Sequence, residues 1–184
     1  MFINIITPCS RPENLVKIGL SINIPLENFR WIVVFDAEEI PELPVSKSEF
    51  KNTEFYAHKN PEGCSGNSQR NFALDLIEEG YVYFQDDDTL MHPEFWESVK
   101  DLKNDFISFN QGFSNGSIRI RAGRIEVGHI DSHNFLLKRE LIGNTRWEID
   151  KYEADGIFAE ACAKKTRNLF FIDRILSIYN ALRP

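Results

Sequence analysis

Cysteine is scarce in this chain, with 3 among 184 residues. Cys9, Cys64 and Cys162 make no Cys-x-x-Cys pair and no zinc-ligand spacing. A disulfide scaffold and a zinc finger are therefore poor descriptions, and an odd set of free thiols fits a reducing compartment. Long apolar runs are missing too: no stretch approaches the roughly 20 residues of a membrane span. The opening Met1–Ile6 run is short, lacks a basic start and meets Pro8 and Arg11 at once, unlike a signal peptide. The expectation is a cytoplasmic protein without a transmembrane segment, working at most at the periphery of a membrane. Positive charge is in deficit, 21 Lys and Arg against 28 Asp and Glu, for a net charge of −7. Binding to a nucleic-acid backbone needs a basic face, so no nucleic-acid partner is expected. A small phosphate ligand held by a few local groups is untouched by that argument.

What is present is an ordinary globular composition, 42% hydrophobic and 27% charged, at a length suited to one core. No internal repeat or low-complexity linker interrupts it. The first half alternates strand and helix. Phe2–Thr7 reads as a strand broken by Pro8, and Ser10 with Glu13 reads as a capped helix start. Leu15, Ile18 and Ile22 follow at helical spacing, and Trp31–Phe35 is a continuous apolar run, the mark of a strand covered on both faces. Thr53–Ala57 adds a strand, Lys59–Asn67 a loop, and Ser68–Glu79 a helix stopped by Gly80. Tyr81–Gln85 is a buried strand, and Pro93 opens a further helix carrying Phe95 and Val99. Such alternation predicts a parallel sheet with crossovers. The second half predicts shorter strands at Phe106–Phe109, Ser117–Arg121, Arg124–Ile130 and His133–Leu137. A helix over Gly156–Lys164 and a last strand, Leu169–Ile172, precede a short amphipathic tail. The expected whole is one α/β domain over 1–184, with a nucleotide-binding half at 1–105 and a smaller, partly antiparallel half at 106–184.

Chemistry concentrates at strand ends. Asp86-Asp87-Asp88 directly follows an apolar strand, and three adjacent carboxylates repel unless something positive joins them. Alternation near a strand end lets Asp86 and Asp88 face one way, an Asp-x-Asp pair able to hold Mg²⁺ or Mn²⁺ against a diphosphate. A solvated acidic turn is the bland counterpart. Arg70, in the helix after the glycine-containing loop, can offer a charged fork to a phosphate or serve as an ion-pair partner. The Gly-Lys-Ser/Thr ending of a P-loop is absent. Asp36 ends its strand where it can accept bonds from a base or sugar, or simply close a turn. Asp155 precedes a helical pattern, either as an N-cap or as a carboxylate able to take a proton from an acceptor hydroxyl, with Glu153 its closest competitor. His58, His92, His129 and His133 form no dense ligand set, although His129, Asp131 and His133 alternate in a way that can line a cleft. Trp147 either stacks on a sugar or fills the smaller core.

At these residues the sequence resembles the GT-A class of nucleotide-sugar glycosyltransferases, and within it the inverting glucuronyltransferases that build proteoglycan linkers. Ile6-Thr7-Pro8 with Arg11 is similar to that family's first strand and nucleotide-binding turn. Trp31–Val34 with Asp36 is similar to its second strand and uracil-side carboxylate, Gly66 to Leu74 to its Arg-Asn-x-Ala-Leu helix, and Tyr81–Asp88 to its metal-binding strand. The order and spacing match over about the first half of the chain and thin beyond Asp88. The resemblance implies that Thr7, Pro8, Arg11, Asp36 and Arg70 contact the nucleotide, that Asp86 and Asp87 contact the sugar nucleotide, and that Asp88 is the principal ligand of Mn²⁺ or Mg²⁺. The glucuronyltransferases carry a Glu as general base where this sequence offers Glu153-Ala154-Asp155, and Asp155 is chosen because related inverting GT-A enzymes often use an Asp in that setting.

The implied activity is transfer of a sugar from a UDP-sugar to a hydroxyl of a glycan or lipid-linked glycan, with inversion. Self-assembly of copies and further domains of a longer chain are compatible partners. A nucleotidyltransferase is the rival enzyme, but it calls for a glycine-rich first loop with a basic partner that Pro8–Pro12 does not supply. An inactive nucleotide-sugar-binding module is the rival without catalysis.

Overall fold

The computed structural model describes residues 1–59 and 65–183. Among them nine strands join in one sheet. The strands are β1 (Ile3–Cys9), β2 (Phe29–Phe35), β3 (Thr53–Ala57), β4 (Tyr81–Phe84), β5 (Leu90–Met91), β6 (Phe106–Gly112), β7 (Ile118–Ile120), β8 (Phe135–Lys138) and β9 (Leu169–Ile178). Their order is β3-β2-β1-β4-β8-β6-β9-β5, with β7 paired to β6. The β3-β2-β1-β4 portion is parallel. Beyond it β8 runs antiparallel between β4 and β6, and β6 and β9 are parallel again.

The sheet is apolar on both faces, and the period of 2 along each strand divides its side chains between two cores. Ile3, Ile5, Trp31, Val33, Phe35, Tyr81 and Tyr83 face one core together with Leu15 and Ile18 of α1 (Leu15–Ser21) and Phe95 and Val99 of α3 (Phe95–Val99). Ile6, Ile32, Val34, Val82 and Phe84 face the other. There they meet Ala73 and Leu74 of α2 (Asn67–Asp75), Ile142 of α4 (Arg139–Ile142), and Phe158, Ala159 and Cys162 of α5 (Ala154–Ala163). No helix among the described residues is long and apolar enough to cross a membrane.

Several local expectations shift, each for a visible reason. β1 continues through Pro8 to Cys9 because β4 stops pairing with it at Ile6–Phe84, so Pro8, which has no N–H, leaves no bond to β4 unmade. Ser10 does not cap a helix; a 3-10 turn at Pro12–Asn14 leads into α1, and the Ser10 N–H and hydroxyl go to Asp87. Helix α2 ends at Asp75 rather than at Gly80, whose φ of 86° instead sets the entry to β4. Arg124–Ile130 forms turns and no strand. The expected tail belongs to β9: Phe109 pairs with Ile172 but Asn110 with Ile175, so Asp173 and Arg174 bulge out and the strand resumes beyond them. That polar bulge is what made the strand look finished. The loop expected at Lys59–Asn67 lies partly, at 60–64, outside the described residues.

Two placements follow for the site. β1 and β4 are neighbours whose onward connections lead to opposite sides of the pair, which opens a crevice at their carboxyl ends. Helix α5 is drawn against the segment before β8 at Gly156, where an added Cβ would lie 2.6 Å from Val127 Cα. Gly156→Ala is expected to destabilise the protein by about 1–3 kcal/mol through overpacking. Denaturant unfolding of the two proteins measures it, and an unchanged midpoint would contradict this close packing.

Candidate active site at the carboxyl ends of the parallel strands

The crevice is a cavity of about 540 Å³, within the size range of small-molecule sites. Pro8, Arg11, Asp36, Arg70, Asp86, Asp87, Asp88 and Asp155 all line it. Thr7 is not among its lining residues: it is fully buried, and its hydroxyl accepts a bond from the Trp31 indole at 2.9 Å. Asp36 is exposed at the rim, just past β2.

The carboxylate row does not alternate as a strand would. Regular structure ends at Phe84, the chain turns over the next residues, and each carboxylate goes its own way. Asp86 accepts from Arg70 Nη2 at 2.5 Å and from Ser132 Oγ at 3.2 Å, with His133 Nε2 at 3.3 Å. Asp87 accepts from the Ser10 and Arg11 amides at 2.7 and 2.9 Å and pairs with the Arg11 guanidinium. Asp88 accepts from Arg183 Nε at 2.6 Å and from Arg11 Nη1 at 3.2 Å. Guanidinium groups from three parts of the chain thus supply the positive charge that the row requires. Asp86 and Asp88 consequently sit in separate ion-pair sets, with no shared partner among these bonds.

Arg70 is buried at 4% exposure. Its Nη1 donates to the Ser65 carbonyl at 2.7 Å and to Asn67 Oδ1 at 3.1 Å, and its guanidinium lies 4.6 Å from the Trp147 ring centroid. Trp147 in turn stacks on Phe158 and meets Phe84 edge-on, so it is a core residue with one side on the cavity. Gly66 makes this arrangement feasible: its φ is 77°, and a Cβ there would lie 2.5 Å from Pro8 Cβ. The start of α2 can therefore lie against the end of β1 and present Arg70 to Asp86.

Burial would push the Asp86 carboxyl up, but Arg70 and His133 outweigh it and hold it well below the usual range. Burial pushes Asp87 upward, only partly countered by Ser10 and Arg11. For His133, burial favours the neutral ring, yet Asp131 and Asp86 dominate and raise its pKa. Asp155, in the first turn of α5, accepts from the Gly156 amide at 2.7 Å, and burial raises its pKa to about 6. Glu153 is exposed at the N-cap of α5.

Sequence reasoning missed much of the far wall. Asp131 and Ser132 stand there, with His133 buried behind them against Asp86 and Asp131, whereas His129 is exposed. The alternation at 129–133 was their one signal. Arg119 lies over Tyr179, its Cζ 3.8 Å from the ring centroid, and pairs with Asp131 and Gln111. Nothing in the sequence marked Arg119, Tyr179 or Arg183. Single ligand atoms of Asp86, Asp131 and His133 lie within 4.8 Å of one another, an oxygen and nitrogen set of the kind a divalent cation accepts. Asp88, buried and lining the cavity, holds two guanidinium groups on Oδ2 and, among the described residues, only the Thr89 hydroxyl, at 3.3 Å, on Oδ1, and is the other carboxylate suited to a cation.

No family model matches this sequence, and no curated protein matches it either. Solved structures resemble it over nearly its whole length. Residues 1–349 of S. aureus TarS in complex with UDP-GlcNAc are 15% identical with a TM-score of 0.73, over 97% of this chain and 58% of that one. S. aureus TarS is 16% identical with a TM-score of 0.76, over 97% and 36%. Mannosyltransferase PcManGT from Pyrobaculum calidifontis, in complex with GDP-Man and Mn²⁺, is 11% identical with a TM-score of 0.69, over 97% and 56%. The chain has the GT-A glycosyltransferase fold, and it spans between about a third and three fifths of these proteins.

Two outcomes test the electrostatics. Among the described residues, Arg70→Met leaves half-buried Asp86 with only His133 and the Ser132 hydroxyl and is expected to cost about 1–3 kcal/mol in urea unfolding at neutral pH; a loss below about 0.5 kcal/mol would mean the pair is not structural. The folded pKa of Asp155 lies above its ordinary value of 3.8, so the folded chain binds the extra proton between those values, and stability falls as pH rises through that window. Asp155→Asn should therefore stabilise metal-free protein at about pH 7.5, by at most about 3 kcal/mol, with the gain vanishing below about pH 4. Equal stability at both pH values would remove the case for a half-buried, proton-retaining carboxyl.

Proposed function

We propose that this chain is the donor-binding and catalytic domain of an inverting glycosyltransferase that passes a sugar from a UDP-sugar to a hydroxyl of a glycan or lipid-linked glycan. The observation that carries the reading is the carboxylate row after β4 facing Asp155 across one cavity of a GT-A fold. Residues 1–105 would hold the donor, with 106–184 forming the acceptor side. A second cavity of about 460 Å³, lined by Arg119, Arg121 and Arg124, adjoins the first through Arg119, Ile120 and Gly128 and offers room for an acceptor to approach. A cytoplasmic enzyme beside a membrane fits a lipid-linked acceptor.

In this reading Asp36, at the rim beyond β2, takes the base, while Pro8, Arg11 and Arg70 shape the nucleotide side. Asp86 and Asp87, which line the cavity, are taken as sugar-nucleotide contacts that also hold Arg70 and the turn after β1 in place. Asp88 is the proposed ligand of Mn²⁺ or Mg²⁺, with Asp86, Asp131 and His133 as the second donor set. When bound, the cation supplies positive charge against the diphosphate as it leaves. Asp155 takes the proton of the incoming hydroxyl. A carboxyl whose pKa is lifted toward neutrality suits that task better than an exposed one. The hydroxyl oxygen bonds to the anomeric carbon as the bond to the diphosphate breaks, in a single displacement that inverts configuration.

Calorimetric titration with UDP, GDP and ADP, with and without Mn²⁺, is the first test. UDP should bind preferentially and metal-dependently, and Asp88→Ala should weaken it at least about tenfold, more than His133→Ala does. Absence of binding by all three nucleotides in both conditions would end the assignment. With a donor and acceptor found, Asp155→Asn should lower turnover about 10²–10⁴-fold while donor affinity stays within about twofold. A product that keeps the donor's anomeric configuration would remove Asp155 from its role.

A further inference from the structure

We propose that Arg183 is a resident counter-ion of Asp88 that yields its place to the divalent cation and then serves the donor's diphosphate. The proposal rests on the donor-site reading above. It starts from an asymmetry in one ion pair. The Asp88 side chain is 4% exposed and that of Arg183 is 52% exposed, with Nε 2.6 Å from Oδ2. The carboxylate is built in, and the guanidinium is the member free to move.

The neighbouring cation is anchored. Arg11 also contacts Asp88 Oδ2 but is tied to Asp87 by its side chain and its amide. Among the described residues, Asp88 is the one ion-pair partner of Arg183. Three carboxylates, Asp86, Asp87 and Asp88, are matched by three guanidinium groups, Arg11, Arg70 and Arg183. At Asp88 itself a divalent cation competes with two guanidinium groups for one carboxylate oxygen, Oδ2, and the less anchored of the two, Arg183, is the one expelled.

The backbone beside Arg183 stays in place when the side chain leaves. The Leu182 amide donates to the Asp88 carbonyl at 3.0 Å, the Leu182 side chain packs against the core that contains Tyr83 and Phe95, and the Tyr179 amide donates to the Gly112 carbonyl at 2.8 Å. Arg183 lines the donor cavity. A displaced guanidinium therefore remains tethered at the wall where the diphosphate must lie, and a guanidinium fork matches phosphate oxygens well. Arg183 is a positioning residue in the resting protein and a donor ligand in the loaded one.

The test is a pair of binding measurements on the full chain, with no turnover required. Wild type, Arg183→Ala and Arg183→Lys are compared for Mn²⁺ affinity by electron paramagnetic resonance without nucleotide, and for UDP affinity by calorimetry in saturating Mn²⁺. Removing a half-exposed competitor should tighten Mn²⁺ binding about two- to fivefold in Arg183→Ala. The same variant should bind UDP about tenfold more weakly, and Arg183→Lys should recover part of that loss. These opposite signs are what a merely structural residue would not produce, and thermal unfolding of all three proteins checks that each is folded. Mn²⁺ affinity that is unchanged or weaker in Arg183→Ala, in proteins that still bind UDP, overturns the exchange and leaves the donor site standing. Failure of wild type to bind UDP in any condition overturns the donor site itself, and the exchange with it.

Discussion

Three adjacent carboxylates at the end of a buried strand dominate this molecule, because their repulsion has to be answered by charge brought from elsewhere. Arg70 comes from α2, Arg11 from the turn after β1, and Arg183 from the segment after β9. Each pairing draws one wall of the cavity toward β4. Separating any of them in a poorly solvated site leaves an unmatched charge, which costs more than the intact pair contributes. The same contacts therefore hold the cavity together and keep its acidic groups occupied.

The sheet decides where this can happen. β1 is flanked by β2 and β4, and the chain leaves β1 toward β2 and leaves β4 toward the other side of the sheet, so the loops part at their carboxyl ends. Asp87 closes the gap at its base by accepting from two successive amides beyond β1. The antiparallel β8, inserted beside β4, brings Asp131, Ser132 and His133 to the opposite side of Asp86. Helix α5, packed tightly at Gly156, sets Asp155 facing the cavity in an environment where its carboxyl holds its proton to a pH near 6. Acid groups of different character thus share one space: Asp86 is kept ionised by Arg70 and His133, and Asp155 is inclined to neutrality by burial.

Local pattern carried the reading far in the first half. Trp31–Phe35 and Tyr81–Phe84 are legible as strands because both faces are apolar, and the position of Asp86–Asp88 and Asp36 at strand ends follows from that alone. Arg70 was legible as functional but not as buried; a guanidinium sealed between Asp86 and the Trp147 ring is invisible without the partner that closes over it. Pattern failed where a short-range signal was cancelled by distant pairing. Ser10 looks like a helix cap and is taken by Asp87, 77 positions away. Asp173-Arg174 looks like the end of a strand and is a bulge, because β6 and β5 supply partners on both sides of the residues that follow.

By itself the sequence determined the α/β alternation, the two-faced parallel strands and the set of carboxylates that would gather at their ends, since these depend on periodicity and on what a strand terminus exposes. Only the tertiary structure decided which cation answers which carboxylate, that Thr7 serves the core through Trp31, that Asp131, Arg119 and Arg183 complete the cavity, and that His133 backs Asp86 from beneath it. Those outcomes are set by burial and by separations of up to 95 residues along the chain. Charge pairing acts over ångströms in space, and no spacing in the sequence records it.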